Sequence, residues 1–214
     1  MNTSTQSVFY ARMILALLYL VGCVGFTIPA TEPLFSLLSP FNLLLSGMVL
    51  FLFQEKWTAG LVLALPLVAL IGFGAELLGT QTGLLFGNYS YGPVLGLKLW
   101  DTPLLIGLNW LVLSFGIYTG LRRLPLGWWL PPLGALLMVA FDYVMEPVAV
   151  RLDMWSWQGN VIPLKNYIDW FLLSFVLFAG MKLFRLNHRN QLAVWIVLCQ
   201  FVFFLVLNIS LNLI

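Results

Sequence analysis

Three carboxyl side chains interrupt strongly apolar sequence: Glu76, Asp142 and Glu146. An ionisable group within such a run is costly and is usually kept for function. Asp142 and Glu146 are four residues apart, so they share one face of a helix. Two carboxyls at that spacing in a low-dielectric site cannot both ionise cheaply, and one keeps its proton. A carboxylic acid held protonated at neutral pH is what a general acid requires. The competing reading is a structural pair neutralised by Arg151, Lys165 or loop backbone.

The acids belong to a pattern that occurs twice. Glu76 is followed thirteen residues later by Tyr89-Ser90-Tyr91, and Asp142 thirteen residues later by Trp155-Ser156-Trp157. A proline then stands seven residues before a tryptophan in each copy, Pro103 before Trp110 and Pro163 before Trp170. Copies 60–66 residues apart indicate an internal duplication. Asn109 and Asp169 are equivalent in the two copies, and Asn166 lies one turn from Asp169. These polar groups could orient a water or a second carboxyl, or simply hydrogen-bond between helices. Tyr89, Tyr91, Trp155 and Trp157 recur at every second residue, so each pair faces one way in an extended segment. They suit either an interfacial aromatic belt or a π-lined pocket for a polyene or carbocation.

Composition sets the solvent. The chain is 61% hydrophobic and 8% charged, with a mean hydropathy of +0.97. Soluble domains carry about 25% charge, so this is an integral membrane protein. A net charge of +2 gives no basis for a nucleic-acid partner. One histidine and two cysteines leave little for a Cys/His metal site, and no metal or cofactor is expected.

Spans of roughly 20 apolar residues are expected at Val8–Ile28, Phe35–Phe53, Thr58–Leu78, Pro103–Leu121, Trp128–Val150, Tyr167–Leu183 and Leu192–Leu213. The fold class is an all-α polytopic membrane protein of about seven helices in one domain over residues 1–214. It contains two parallel helix–loop–helix repeats, helices 3–4 (approximately 58–121) and helices 5–6 (approximately 128–183). Pro103 and Pro163 suit the first turn of the helix that follows. Arg12, Lys56, Arg122, Arg123, Lys182, Arg185 and Arg189 fall on the N-terminal side, and only Lys98, Arg151 and Lys165 on the other. The positive-inside rule then places the N-terminus in the cytoplasm of a cell (inner) membrane protein. Glu76 is expected at the end of the third helix and Asp169 at the start of the sixth. The acids gather near the non-cytoplasmic face.

At these residues the chain resembles the membrane carotenoid 1,2-hydratase, or bisanhydrobacterioruberin hydratase, family. The resemblance runs from about Gly74 to Trp170. It rests on Glu76, Phe86-Gly87-Asn88-Tyr89-Ser90-Tyr91, Pro103, Trp110, Asp142, Glu146-Pro147, Trp155-Ser156-Trp157, and Pro163 through Asn166 to Trp170. Ile162 and Asp169 depart from it, standing where the family pattern has glycine.

The resemblance implies water addition across the terminal C1=C2 bond of an acyclic carotenoid ψ-end, giving a tertiary alcohol without cofactor. Asp142, Glu76, Glu146, Asp169 and Asn109 would be the catalytic set. Tyr89, Tyr91, Trp155, Trp157, Asn166, Trp110 and Trp170 would bind substrate. The carotenoid would arrive from the bilayer, with water and membrane lipid as the other partners and contacts to other enzymes of the same pathway. Two other readings use the same features. A ψ-end cyclase would share the protonation but let an internal alkene capture the cation. A small parallel-repeat transporter would also suit seven helices.

Overall fold

The structure, a computed structural model, describes residues 4–184, 186 and 189–213. Seven α-helices are present among these residues: α1 (Thr5–Thr27), α2 (Glu32–Leu52), α3 (Ala59–Thr82), α4 (Leu105–Leu121), α5 (Leu130–Arg151), α6 (Leu164–Leu183) and α7 (Ala193–Ser210). All but α4 are long and apolar enough to cross a membrane. The chain is thus a helical multi-pass membrane protein. Arg185, one of the basic residues used to orient it, lies outside the described residues.

At 17 residues, α4 would reach only about 25 Å at 1.5 Å per residue. Most of its side chains are nevertheless buried, because α2, α3, α5 and α7 all pack against it. Small residues make those approaches possible. A Cβ on Gly107 would lie 2.6 Å from the Ala69 carbonyl of α3, and one on Gly116 would lie 2.7 Å from the Ala193 carbonyl of α7. Bare backbone at such crossings is how membrane helices gain contact without a hydrophobic drive. Gly72 likewise admits Trp110, whose Cβ a methyl there would meet at 2.4 Å.

Two boundaries differ from the sequence expectation. Helix α3 runs on to Thr82 and stops where Gly83 takes a left-handed φ of 66°. Glu76 therefore lies well inside α3, on its buried face, and not at its end. Helix α6 begins at Leu164, with Pro163 as its N-cap, so Asp169 sits in its second turn. Pro103 does not open α4. It closes a short hairpin, β2 (Lys98–Leu99) with β3 (Thr102–Pro103), in which it pairs with Lys98.

The two aromatic triplets meet. They form β1 (Tyr89–Tyr91) and β4 (Trp155–Trp157), antiparallel, with Tyr89 opposite Trp157, Ser90 opposite Ser156 and Tyr91 opposite Trp155. Flanking bonds extend the pairing: Gly92 N–H donates to the Met154 carbonyl and Gln158 N–H to the Asn88 carbonyl, each at 2.9 Å. Asn88 and Met154 are 66 residues apart, as are Gly92 and Gln158, so a local twofold exchanges the two bonds. The hydroxyls of Ser90 and Ser156 face each other at 3.2 Å on the exposed side. Further in, the equivalent Trp110 and Trp170 stack with centroids 4.2 Å apart.

Candidate active site

Strand alternation decides what the triplets do. Ser90 and Ser156 point outward, and Tyr91, Trp155 and Trp157 turn inward and are buried. The inward side chains carry O–H and N–H donors, which need acceptors once removed from water. The acceptors are the carboxylates. Glu76 takes the hydroxyls of Tyr89 and Tyr91 on Oε2, the latter at 2.7 Å, and the Trp110 indole on Oε1 at 2.9 Å. Glu146 takes both indoles of β4 on Oε2, Trp155 at 3.0 Å and Trp157 at 2.8 Å. Burial, and then the neighbouring Glu76, push the Tyr89 and Tyr91 hydroxyls far above their ordinary range, so both phenols stay neutral donors.

The two copies are not chemically equivalent. The first triplet serves Glu76, whereas the second serves Glu146, one turn beyond Asp142. Asp142 is left with one donor, the Asn166 amide at 2.7 Å from Oδ2. Its Oδ1 is buried and has no hydrogen-bond partner among the described residues. The same amide lies 3.5 Å from Glu146 Oε1 and bridges the two acids. Exposure is 4% at Glu76, 0% at Asp142 and 2% at Glu146.

All three acids line one chamber of about 20 Å³. That is room for about one water molecule. Its other walls are Phe86, Tyr89, Tyr91, Ile106, Met145, Trp155, Trp157, Asn166 and Trp170. The basic residues proposed above as neutralisers are engaged elsewhere. Arg151 pairs with Glu32 at 3.1 Å and Lys165 with Asp169 at 2.7 Å. These are the ion pairs found among the described residues, and neither reaches the chamber acids.

Asp169 and Asn109 stand apart from the chamber. Asp169 Oδ2 accepts the Phe86 backbone N–H at 2.7 Å as well as Lys165. Phe86 has a φ of 64°, uncommon for a side chain of that size. Asp169 thus pins the turn that leads into β1. Asp169→Ala would orphan that N–H, at a cost of about 1–3 kcal/mol. The expected result is a lower unfolding midpoint in detergent; an unchanged midpoint would contradict this role. Asn109 lines a separate groove. Trp110 touches Glu76 without bordering the chamber.

That groove, about 380 Å³, runs between α1, α2, α4, α5 and α7. Its mouth carries exposed apolar side chains such as Leu18, Val21, Leu38 and Phe41. Ile106, Met145 and Trp155 border both groove and chamber. A polyene end lying in the groove would be separated from the acids only by these side chains.

Sequence reading missed Ile106 and Met145, which look like ordinary apolar residues, and gave Phe86 a place in the resemblance but no part in the site. It also missed Asn208. Asn208 on α7 donates to the Val144 carbonyl at 2.6 Å, supporting α5 next to Glu146. A buried asparagine in an apolar helix was the available signal.

No solved structure matches the chain. A bisanhydrobacterioruberin hydratase from Haloarcula japonica is 32% identical over 122 residues, which cover 51% of this chain and 41% of that protein. The match therefore spans less than half the length of that relative. The carotenoid biosynthesis protein family matches residues 33–214, a stretch that holds every chamber residue, and the chain belongs to that family.

Proposed function

We propose that this protein hydrates the terminal C1=C2 double bond of an acyclic carotenoid ψ-end without a cofactor. One observation carries the reading. Three carboxyls without basic partners among the described residues line a water-sized chamber under an aromatic roof, beside an apolar groove open to lipid. Membership of a carotenoid biosynthesis family supports the substrate class, and the name of the 32% identical relative supports the reaction type.

The two uncommitted oxygens suggest the roles. Asp142 Oδ1, which receives no donor, carries the proton. With the Ile106, Met145 and Trp155 side chains displaced to admit the ψ-end, it is transferred to C2 as the alkene π electrons form the new C–H bond, leaving a tertiary cation at C1. The indole and phenol faces of the roof stabilise that cation; a desolvated cation–π contact contributes about 2 kcal/mol. Water attacks C1, and Glu146 Oε1, held only by the long Asn166 contact, takes the released proton. Glu76, with both oxygens occupied, remains a fixed negative charge facing the cation. The proton then returns from Glu146 to Asp142 across the chamber, and the net change is alkene plus water to alcohol. We place this site near the non-cytoplasmic face of the cell membrane, from the distribution of basic residues.

The test is a reaction run in heavy-oxygen water with cells or vesicles containing this protein and an acyclic carotenoid. The label should appear in the product hydroxyl, with or without molecular oxygen. A product labelled only from oxygen gas would mean a hydroxylase. An unlabelled, ring-closed pigment would mean the cyclase.

A further inference from the structure

The repeated sequence pattern leaves one hydrogen bond unmatched. In the first copy the Trp110 indole N–H donates to Glu76 Oε1 at 2.9 Å. Asp142 stands where that copy has Glu76, and Trp170 stands where it has Trp110. The matching bond, from Trp170 to Asp142, is not formed. Trp170 is 4% exposed, and its N–H makes no hydrogen bond among the described residues. Asp142 Oδ1 is buried and has none either. Both side chains nevertheless line the same chamber, which has room for about one water. The face of α6 that carries Trp170 is turned toward Asp142, because Asn166, one turn earlier, donates to Asp142 Oδ2 at 2.7 Å. Two differences between the copies accompany the missing bond. Aspartate is one methylene shorter than glutamate. Met138 stands where the first copy has Gly72, the residue that admits Trp110 against α3. A buried donor and a buried acceptor are thus left unpaired at one cavity, and such groups in a native fold call for a reason.

We propose that the Trp170 indole N–H donates to Asp142 Oδ1 once that oxygen has given up its proton, which makes Trp170 a positioning residue that acts through the acid. This rests on the hydration reading, in which Asp142 protonates C2. While Oδ1 holds its proton it carries no charge, and the N–H gains little from it. After the transfer it is a bare anionic oxygen. Neither ion pair among the described residues reaches it, and an unpaired charge in a dry site is costly. A hydrogen bond to a charged acceptor is roughly twice as strong as a neutral one, so the new charge supplies the pull that the neutral acid lacks. With Asn166 already on Oδ2, each oxygen of the new carboxylate then has a donor. An interaction that grows with the charge lowers the barrier without tightening the resting complex.

The experiment removes the N–H alone. A tryptophan analogue with sulfur in place of the ring N–H, introduced at position 170, keeps the face that stacks on Trp110 with centroids 4.2 Å apart. Hydration of an acyclic carotenoid in vesicles should lose about tenfold or more in kcat, with KM unchanged. The unfolding midpoint should not fall, because this N–H is unpaired at rest. The same analogue at position 110 removes a bond present at rest and should lower the midpoint. Trp170→Phe, made by ordinary mutagenesis, should repeat the loss in kcat. Full kcat with the analogue at position 170 overturns the proposal and leaves the hydration reading standing. A raised KM in place of a lowered kcat makes Trp170 a substrate contact and overturns it too. So does a lowered midpoint, which would mean that the N–H is bonded in the resting fold. Unmodified protein that hydrates nothing removes the hydration reading, and this proposal with it.

Discussion

Asp142→Asn should abolish hydration while the protein accumulates and unfolds as before. Asparagine keeps the shape of the side chain and can still accept the Asn166 amide, which donates to Oδ2 at 2.7 Å. What it removes is the transferable proton. General acid catalysis contributes about 10²–10⁴-fold, so pigment conversion should fall by at least about a hundredfold. Trp155→Leu should cost less. One lost cation–π contact of about 2 kcal/mol is roughly thirtyfold in rate, and Trp157, Tyr89 and Tyr91 share the roof. Conversion assayed by pigment extraction separates these outcomes. Substantial hydration by Asp142→Asn would reassign the acid. A Trp155→Leu defect as deep as that of Asp142→Asn would mean that the roof does more than stabilise a cation.

Glu76→Leu should have the largest effect on stability. Three donors converge on this carboxylate from β1 and α4: the hydroxyls of half-buried Tyr89 and buried Tyr91, and the buried Trp110 indole. Leucine leaves the Tyr91 hydroxyl and the Trp110 indole without an acceptor, at about 1–3 kcal/mol each, and leaves Tyr89 only the residue-76 backbone carbonyl, at 3.3 Å. The variant should lose helical signal at a markedly lower temperature in detergent, or fail to accumulate. Glu76→Gln retains one acceptor oxygen and should lie between the two in stability, while hydration falls because the charge facing the cation is gone. A Glu76→Leu protein that unfolds at the original temperature would show that water serves these donors equally well. Glu76→Gln with full activity would confine Glu76 to a structural role.

Much of this site could be read from the chain. Acids in apolar runs marked Glu76, Asp142 and Glu146, because a charge in hydrocarbon is too costly to persist by accident. The period-two spacing of Tyr89, Tyr91, Trp155 and Trp157 puts each pair on one side of an extended segment, and both segments are extended. The 66-residue offset between the triplets is the offset at which β1 and β4 pair. Each of these signals is local. Residue type, spacing and the cost of polarity in lipid can be judged from one stretch of sequence at a time.

What only the tertiary structure decided is which donor meets which acceptor. Equivalent spacing put Glu76 and Asp142 at matching places in the two copies. In the fold, β4 delivers its indoles to Glu146, and Asp142 keeps a bare Oδ1. Asp169 looked catalytic by position, yet it holds the Phe86 turn, 83 residues away in sequence. Asn109 looked like an active-site amide, yet it faces the groove. The antiparallel pairing of β1 with β4 settles most of these differences, since it fixes the register in which two distant segments meet. Such a register depends on how α3, α4, α5 and α6 pack, through close approaches such as Gly72 on Trp110 and Gly134 on Phe178. A sequence pattern fixes the face a side chain occupies, whereas its partner is set by contacts between helices that the pattern does not encode.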